Sequence, residues 1–168
     1  MERVTKRWIS LYVENQVGVL SKISGLFSAK SYNLASLTVG TTEDPTVSRM
    51  TIETVSDDET FEQIKKQLNR IVEVIKVIDF TDLSLCMKEL MYIKVKKCSL
   101  EKKEETFQIA QAFAGKVIDY GKDSILLEVL QTSVKNDSLI ELMREEFQSI
   151  EVVRGGSVGI ESISVAER

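Results

Sequence analysis

A single order of elements, strand–helix–strand–strand–helix–strand, can be read twice along this chain, and it restricts the fold more than any one motif does. Trp8-Ile9-Ser10-Leu11-Tyr12-Val13 is an alternating, mostly apolar run, the pattern of a strand. Asn15-Gln16-Val17-Gly18 breaks it, and a helical stretch follows in which Leu20, Ile23 and Phe27 share a face. Asn33-Leu34-Ala35-Ser36-Leu37-Thr38-Val39-Gly40 reads as a second strand, and residues 41–46, with the sole proline at Pro45, read as a turn. In residues 47–55, Met50, Ile52 and Thr54 alternate with Arg49, Thr51 and Glu53, which suits a half-exposed strand. Asp57-Asp58-Glu59 opens a second helix with acidic residues where the helix dipole favours them, and Phe61, Ile64 and Leu68 give it an apolar face. Residues 72–80, rich in β-branched side chains, close the unit as a strand.

The order then recurs, in element type and not in sequence identity. Residues 89–95 form a strand, and residues 100–114 a helix with Phe107, Ala110 and Phe113 inward. Residues 116–120 and 124–130 pair as a hairpin around Gly121-Lys122-Asp123, where glycine is expected to supply a positive φ. A helix over residues 138–147 turns Leu139, Leu142 and Met143 inward, residues 149–154 close as a strand, and Gly155-Gly156-Ser157-Val158-Gly159 is expected to turn. The pattern predicts an α+β protein of two tandem ferredoxin-like (βαββαβ) domains, residues 1–80 and 81–168. Each is an antiparallel sheet with two helices on one face, so the other face needs cover from a second copy or a partner.

Hydrophobic residues at 43% and charged residues at 29% are ordinary for a soluble globular protein. Acidic and basic residues are mixed, for a net charge of -4, and no basic patch offers an electrostatic footprint for nucleic acid. No apolar run approaches the ~18 residues of a membrane span. The charged residues 1–7 lead straight into a strand, without the apolar core of a signal peptide. Cys86 and Cys98 are not a CxxC pair, and their charged surroundings suggest a reducing, cytoplasmic setting; both read as small hydrophobes rather than reactive thiols. The chain has no histidine, which removes Ser-His-Asp and Cys-His catalysis, His-ligated zinc and a His general base, while carboxylate or lysine chemistry remains open.

In this order of elements the loop after the first strand leads into the N-terminus of the first helix, where unpaired N–H groups and a partial positive charge can hold a carboxylate. Gly18 lacks a Cβ, so a ligand or another chain can approach its backbone. Val17, Val19 and Leu20 can line an apolar pocket, and the Asn33 amide both donates and accepts, as an α-amino acid requires. The bland reading stands beside this one. On pattern alone the loop is a turn that starts a helix, with Asn15 as its cap, and Asn33 is a turn residue. Spacing and composition do not decide between them.

The particular residues are more informative. Val13-Glu14-Asn15-Gln16-Val17-Gly18-Val19-Leu20-Ser21-Lys22-Ile23-Ser24-Gly25-Leu26-Phe27 resembles the opening of an ACT domain. Tyr32-Asn33-Leu34-Ala35-Ser36-Leu37-Thr38-Val39, Asp44-Pro45-Thr46-Val47-Ser48-Arg49-Met50-Thr51-Ile52 and Lys66-Gln67-Leu68-Asn69-Arg70-Ile71-Val72-Glu73-Val74 are similar to the small regulatory subunits of acetolactate synthase (acetohydroxyacid synthase). The likeness resumes more loosely at Ala114-Gly115-Lys116-Val117-Ile118-Asp119 and Val152-Val153-Arg154-Gly155-Gly156.

The resemblance implies a non-catalytic partner of the catalytic (large) subunit, a thiamine-diphosphate enzyme that also carries Mg and FAD, with no cofactor in this chain. It implies activation of that subunit, feedback inhibition by a branched-chain amino acid (usually valine), and a homodimer through the ACT domain with effector at the interface. The family's loop and strand-start residues fall on Asn15, Val17, Gly18, Val19, Leu20, Asn33 and Leu34. Family members commonly carry a glycine within residues 128–133 and another small residue in place of Gly155, so no site is assigned to the second domain.

Three other readings compete with this one. An acylphosphatase-type enzyme would want an arginine in the first loop, and residues 15–20 have no basic side chain. RNA binding would want exposed aromatics, and the strands around Val39 and Ile52 carry none. An ACT regulator of another amino-acid pathway keeps the same site and changes the partner.

Overall fold

The structure is a computed structural model that describes residues 4–163. It contains the expected order twice: β1 (Thr5–Glu14), α1 (Val19–Ala29), β2 (Ser36–Thr41), β3 (Val47–Ser56), α2 (Asp58–Leu68) and β4 (Val74–Asp79), then β5 (Leu85–Lys96), α3 (Leu100–Ala112), β6 (Lys116–Tyr120), β7 (Ser124–Gln131), α4 (Ser133–Glu146) and β8 (Ile150–Glu161). The strands form two four-stranded sheets, ordered β2-β3-β1-β4 and β6-β7-β5-β8. Among the described residues no helix is long and apolar enough to cross a membrane.

In the first unit, alternation along β1 sends Ile9, Leu11 and Val13 toward the helices. They meet Val19, Ile23 and Phe27 of α1 and Phe61, Ile64 and Leu68 of α2, each set spaced to one helix face. Burying one such side chain contributes about 1.5–3 kcal/mol, and Phe61→Ala would cost about 3–5 kcal/mol. The Asp57 carboxylate caps α2 by accepting from the Thr60 N–H at 2.7 Å.

Strand β3, expected to be half-exposed, is buried along both faces, with Met50 and Ile52 on one and Thr51 and Glu53 on the other. It is an inner strand, and long side chains from β1 lie over its second face: Lys6 and Trp8 both reach the Glu53 carboxylate, at 3.2 and 3.1 Å.

The second unit has its core on β5 and β7, with Met91, Ile93, Val95, Ile125, Leu127 and Val129 against Ala110, Leu139 and Met143. Several expectations are corrected here. Phe107 points outward, 47% exposed and stacked on Tyr120, because the inward stripe of α3 is Lys103, Thr106 and Ala110. Lys103 is buried at 3% exposure, yet its ammonium donates to the Gly121 and Lys122 carbonyls at 2.5 and 2.7 Å and lies over the Tyr120 ring. A charge so well partnered can be tolerated inside.

Gly121 has no positive φ. Its lack of a side chain matters because a Cβ there would meet Ser124 Oγ at 2.7 Å. Helix α4 begins at Ser133, five residues before the expected start at Ser138, because Thr132 caps it and Asn136 is turned inward to a buried partner. That partner is the Glu89 carboxylate, which also accepts from Arg154 Nε and Nη2 at 2.9 and 2.6 Å. The glycine-rich stretch after Arg154 does not turn. Strand β8 runs through it to Glu161, with Gly156 at φ +82° and a Cβ on Gly155 within 3.4 Å of the Leu90 carbonyl oxygen.

The division expected at 80/81 also falls elsewhere. One compact unit runs to Cys86 and resumes at Val158, and the other is Met87–Ser157. The strands that carry the chain across, β5 and β8, are longer than their apolar patterns suggest, so the change of unit lies inside strands.

Candidate functional site

The loop of residues 15–18 leaves the end of β1 and is fixed from two sides. The Asn15 N–H donates to the Thr46 carbonyl at 2.7 Å and its side-chain Nδ2 to the Pro45 carbonyl at 2.9 Å, which ties the loop to the turn before β3. That turn is itself closed by Asp44, whose carboxylate accepts from the Thr46 hydroxyl at 2.6 Å and its N–H at 2.9 Å. Those two bonds hold the Asp44 carboxyl below its ordinary pKa. On the other side Glu14 N–H donates to the Glu73 carbonyl, and the Glu73 carboxylate pairs with Lys22 of α1, which lowers the Glu73 pKa.

Gly18 is the N-cap residue of α1. It lies in the left-handed region at φ +92°, and no side chain caps the helix. Asn15 therefore does not cap α1, because its amide is committed to Pro45. A non-glycine residue at Gly18 would carry backbone strain, although the space around a Cβ there is open. The Val19 N–H donates to the Gln16 carbonyl at 3.4 Å, whereas the Leu20 and Ser21 N–H groups have no acceptor among the described residues, which suits an anion. Around them Asn15, Gln16 and Val17 are exposed, Val17 completely so at 107%, and Leu20 is exposed at 43%. Val19 is a core residue beside Ile23 and Phe27, and its N–H is taken by the Gln16 carbonyl, so neither its side chain nor its N–H is open to a ligand.

Asn33 and Leu34 lie elsewhere. Asn33 accepts from Thr54 Oγ1 on its carbonyl at 2.6 Å and from the Val55 N–H on its side-chain oxygen at 3.2 Å, and Leu34 packs against the first core. The loop is pinned at Thr46 and Asn33 at Val55, one at each end of β3. Nine strand residues at about 3.3 Å each separate them by roughly 30 Å. One chain thus brings Asn15, Val17, Gly18 and Leu20 together and holds Asn33 and Leu34 at the far end of the sheet.

The edges of the sheets bear on this separation. Strand β2, an outer strand, has the sequence Ser-Leu-Thr-Val-Gly-Thr with no charge and no proline, and it pairs with β3 in an unbroken register. Strand β4, the other edge of that sheet, carries Lys76 and Asp79 and meets β1 across a bulge at Tyr12/Val13. The edge β6 of the second sheet carries Lys116 and Asp119 and has a bulge between Val117 and Asp119. Charges and bulges are what edges use to refuse another strand, and β2 has neither.

The tie between the loop and the turn was not visible in the sequence. Asp44-Pro45-Thr46 signals an Asx-type turn, but the Asn15 amide that docks on it is distant in the chain.

Comparison with known proteins gives consistent results along the chain. Residues 9–76 match the family described as AHAS small subunit-like ACT domain, and residues 88–163 the family described as small subunit of acetolactate synthase. The acetolactate synthase small subunit of Haemophilus influenzae is 37% identical over 155 residues, covering 92% of this chain and 94% of that protein. That of Aquifex aeolicus is 39% identical over 158 residues, covering 94% of this chain and 82% of that protein. The crystal structure of the acetolactate synthase small subunit from Thermotoga maritima superposes with a TM-score of 0.80 at 33% identity, covering 94% of this chain and 98% of that one.

Proposed function

The chain belongs to the family of acetolactate synthase small subunits, and from this we propose that it is the regulatory, non-catalytic subunit of that enzyme, sensing a branched-chain amino acid between two copies of its first unit. The observation that carries the reading is the placement of the half-sites. An uncapped helix N-terminus at Gly18, with exposed Val17 and Leu20, lies at one end of β3, and Asn33 lies at the other.

Two copies joined antiparallel along the uncharged β2 edge bring the loop of one beside Asn33 of the other. The effector carboxylate then meets the α1 N–H groups, its aliphatic side chain meets Val17 and Leu20, and the Asn33 amide of the second copy completes the polar contacts. Valine is the effector that the family resemblance implies. The catalytic subunit supplies thiamine diphosphate, Mg and FAD, and this chain raises its activity. Inhibition follows when the effector binds one arrangement of the paired units better than the other and that arrangement activates less.

The test is complementation in the complex with the catalytic subunit. Gly18→Asp and Asn33→Ala homodimers should each lose valine inhibition. Mixed dimers of the two should regain one intact site per pair, because both defects then fall in the same site. Mixed dimers as insensitive as their parents would show that each site lies within one chain. No response of the wild-type complex to any branched-chain amino acid would remove the regulatory reading itself.

A further inference from the structure

The face of the first sheet turned away from its helices carries a feature that the loop site does not use. Arg49 projects there from β3, between Tyr12 of β1 and Gly40 of β2 in the strand register. Its Nε donates to Ser10 Oγ at 2.9 Å, and its guanidinium carbon lies 5.0 Å from the centre of the Tyr12 ring. These two contacts fix the plane of the group. Among the described residues no carboxylate pairs with it, and its two terminal nitrogens have no acceptor. The guanidinium is half-buried, and a cation removed from water without a counter-charge is unfavourable.

Arg49 opens into a cavity of about 440 Å³ within the first unit, whose wall also includes Tyr12, Thr51, Gly40 and Ile160. This volume is in the range of small-molecule sites. Gly40 keeps the space open, since a Cβ built on it meets nothing within 4 Å. Glu43 stands on the same wall. The cavity thus offers a fixed guanidinium fork, a hydroxyl at Thr51 and apolar surface from Tyr12 and Ile160.

We propose that Arg49 and this cavity form a second ligand site, distinct from the loop, for a short aliphatic carboxylate. The carboxylate takes the free edge of the guanidinium in a two-pronged pair, the arrangement to which arginine is best matched. The aliphatic body lies against Tyr12 and Ile160. Two sources share this chemistry: a branched 2-oxo acid, which presents a carbonyl where an amino acid presents an ammonium, and the amino acid itself, whose ammonium Glu43 would attract. The site is complete in one chain and does not rest on the pairing of two copies.

The experiment uses the full chain, with 3-methyl-2-oxobutanoate and L-valine as probes of one carbon skeleton. Binding is read from the NMR signal of the Arg49 Nε–H and by calorimetry. A saturable shift of that signal is expected in wild type and equally in Gly18→Asp. A response to the 2-oxo acid alone or to valine alone identifies the source, and either supports the site. Arg49→Met should weaken binding by about tenfold or more, the loss expected for a charge-assisted pair. Gly40→Val should do the same by filling the cavity while leaving the Arg49 charge in place, which covers the case in which Arg49→Met disturbs the sheet. No saturable shift with either probe at concentrations on the order of 10 mM, or unchanged affinity in a folded Gly40→Val protein, overturns the proposal.

Discussion

Helix α1 starts at Gly18, in the left-handed region and with no side chain over its end. Helix α3, in the same place in the second unit, starts at Ser99, whose hydroxyl accepts from the Lys102 N–H at 3.2 Å. The two helices leave in the same way: Ser31 and Ala114 both take positive φ, and Tyr32 N–H and Gly115 N–H return to Phe27 and Ala110 carbonyls. Repetition of the fold therefore kept the exit and changed the entry. In the second unit the helix closes its own N-terminus, with Cys98 buried just before it. In the first unit the Leu20 and Ser21 donors are left open beside apolar side chains that face solvent. The edges differ in the same sense, with β6 bulged and charged and β2 regular and uncharged. The features that protect one unit from partners are missing from the other at the two places where a ligand and a second copy would dock.

The largest effect expected from disturbing this contrast is at the open helix end. Gly18→Asp places a carboxylate among the free N–H groups and should remove a coupling on the order of 1–3 kcal/mol, about 5–150-fold in effector affinity. Gly18→Ala carries the backbone cost of the left-handed region, about 1–2 kcal/mol, without the charge. Calorimetry with valine should find Ala well ahead of Asp; equal losses would assign the effect to backbone strain.

Next comes the edge. Val39→Lys gives β2 the kind of charge that β4 and β6 carry and should weaken self-association several-fold, roughly 1 kcal/mol, by sedimentation. An unchanged dimer would move the interface away from β2. Ser99→Ala opens the second unit's helix as the first is open. It should cost about 1 kcal/mol, seen as a Tm lower by about 2–4 °C, with valine response untouched; a changed response would mean that the closed end also takes part.

The smallest effect concerns the turn that anchors the loop. Asp44 has its pKa lowered by the Thr46 hydroxyl and amide, so its stabilisation is complete above the unfolded value of about 3.9 and fades only as pH falls through the lower folded value. The Thr46 amide shift should be flat from pH 7 to about 5 and move only below about 4. A midpoint above that would place the Asp44 carboxylate outside the turn.

Element order was legible because periodicity is local. The apolar face of α2 and the alternation of β1 are evident, and the hairpin of β6 and β7 falls where its glycine suggests; in α1 the inward stripe is Val19, Ile23 and Phe27, with Leu20, expected on that face, exposed. Three features were not legible, for related reasons. The inward stripe of α3 is a lysine, a threonine and an alanine, so the outward Phe107 looked like the core residue. The first turns of α4 are polar and looked like loop until Asn136 was paired with Glu89. In both cases a buried polar group is satisfied by residues far along the chain, which no local pattern records. The site residues could be named from resemblance, but the distance between Gly18 and Asn33 is a property of the length of β3.

The return of the chain at Val158 also bears on how the protein can be cut. Met87–Ser157 is bounded on both sides by the first unit, and the strands that lead out and back, β5 and β8, are neighbours in one sheet, with Ser162 N–H donating to the Ser84 carbonyl at 2.9 Å. In chain topology the second unit is an insertion in the first. A chain cut after residue 80 lacks part of its first unit, whereas a short bridge from Cys86 to Val158 would keep all of that unit's segments in one polypeptide.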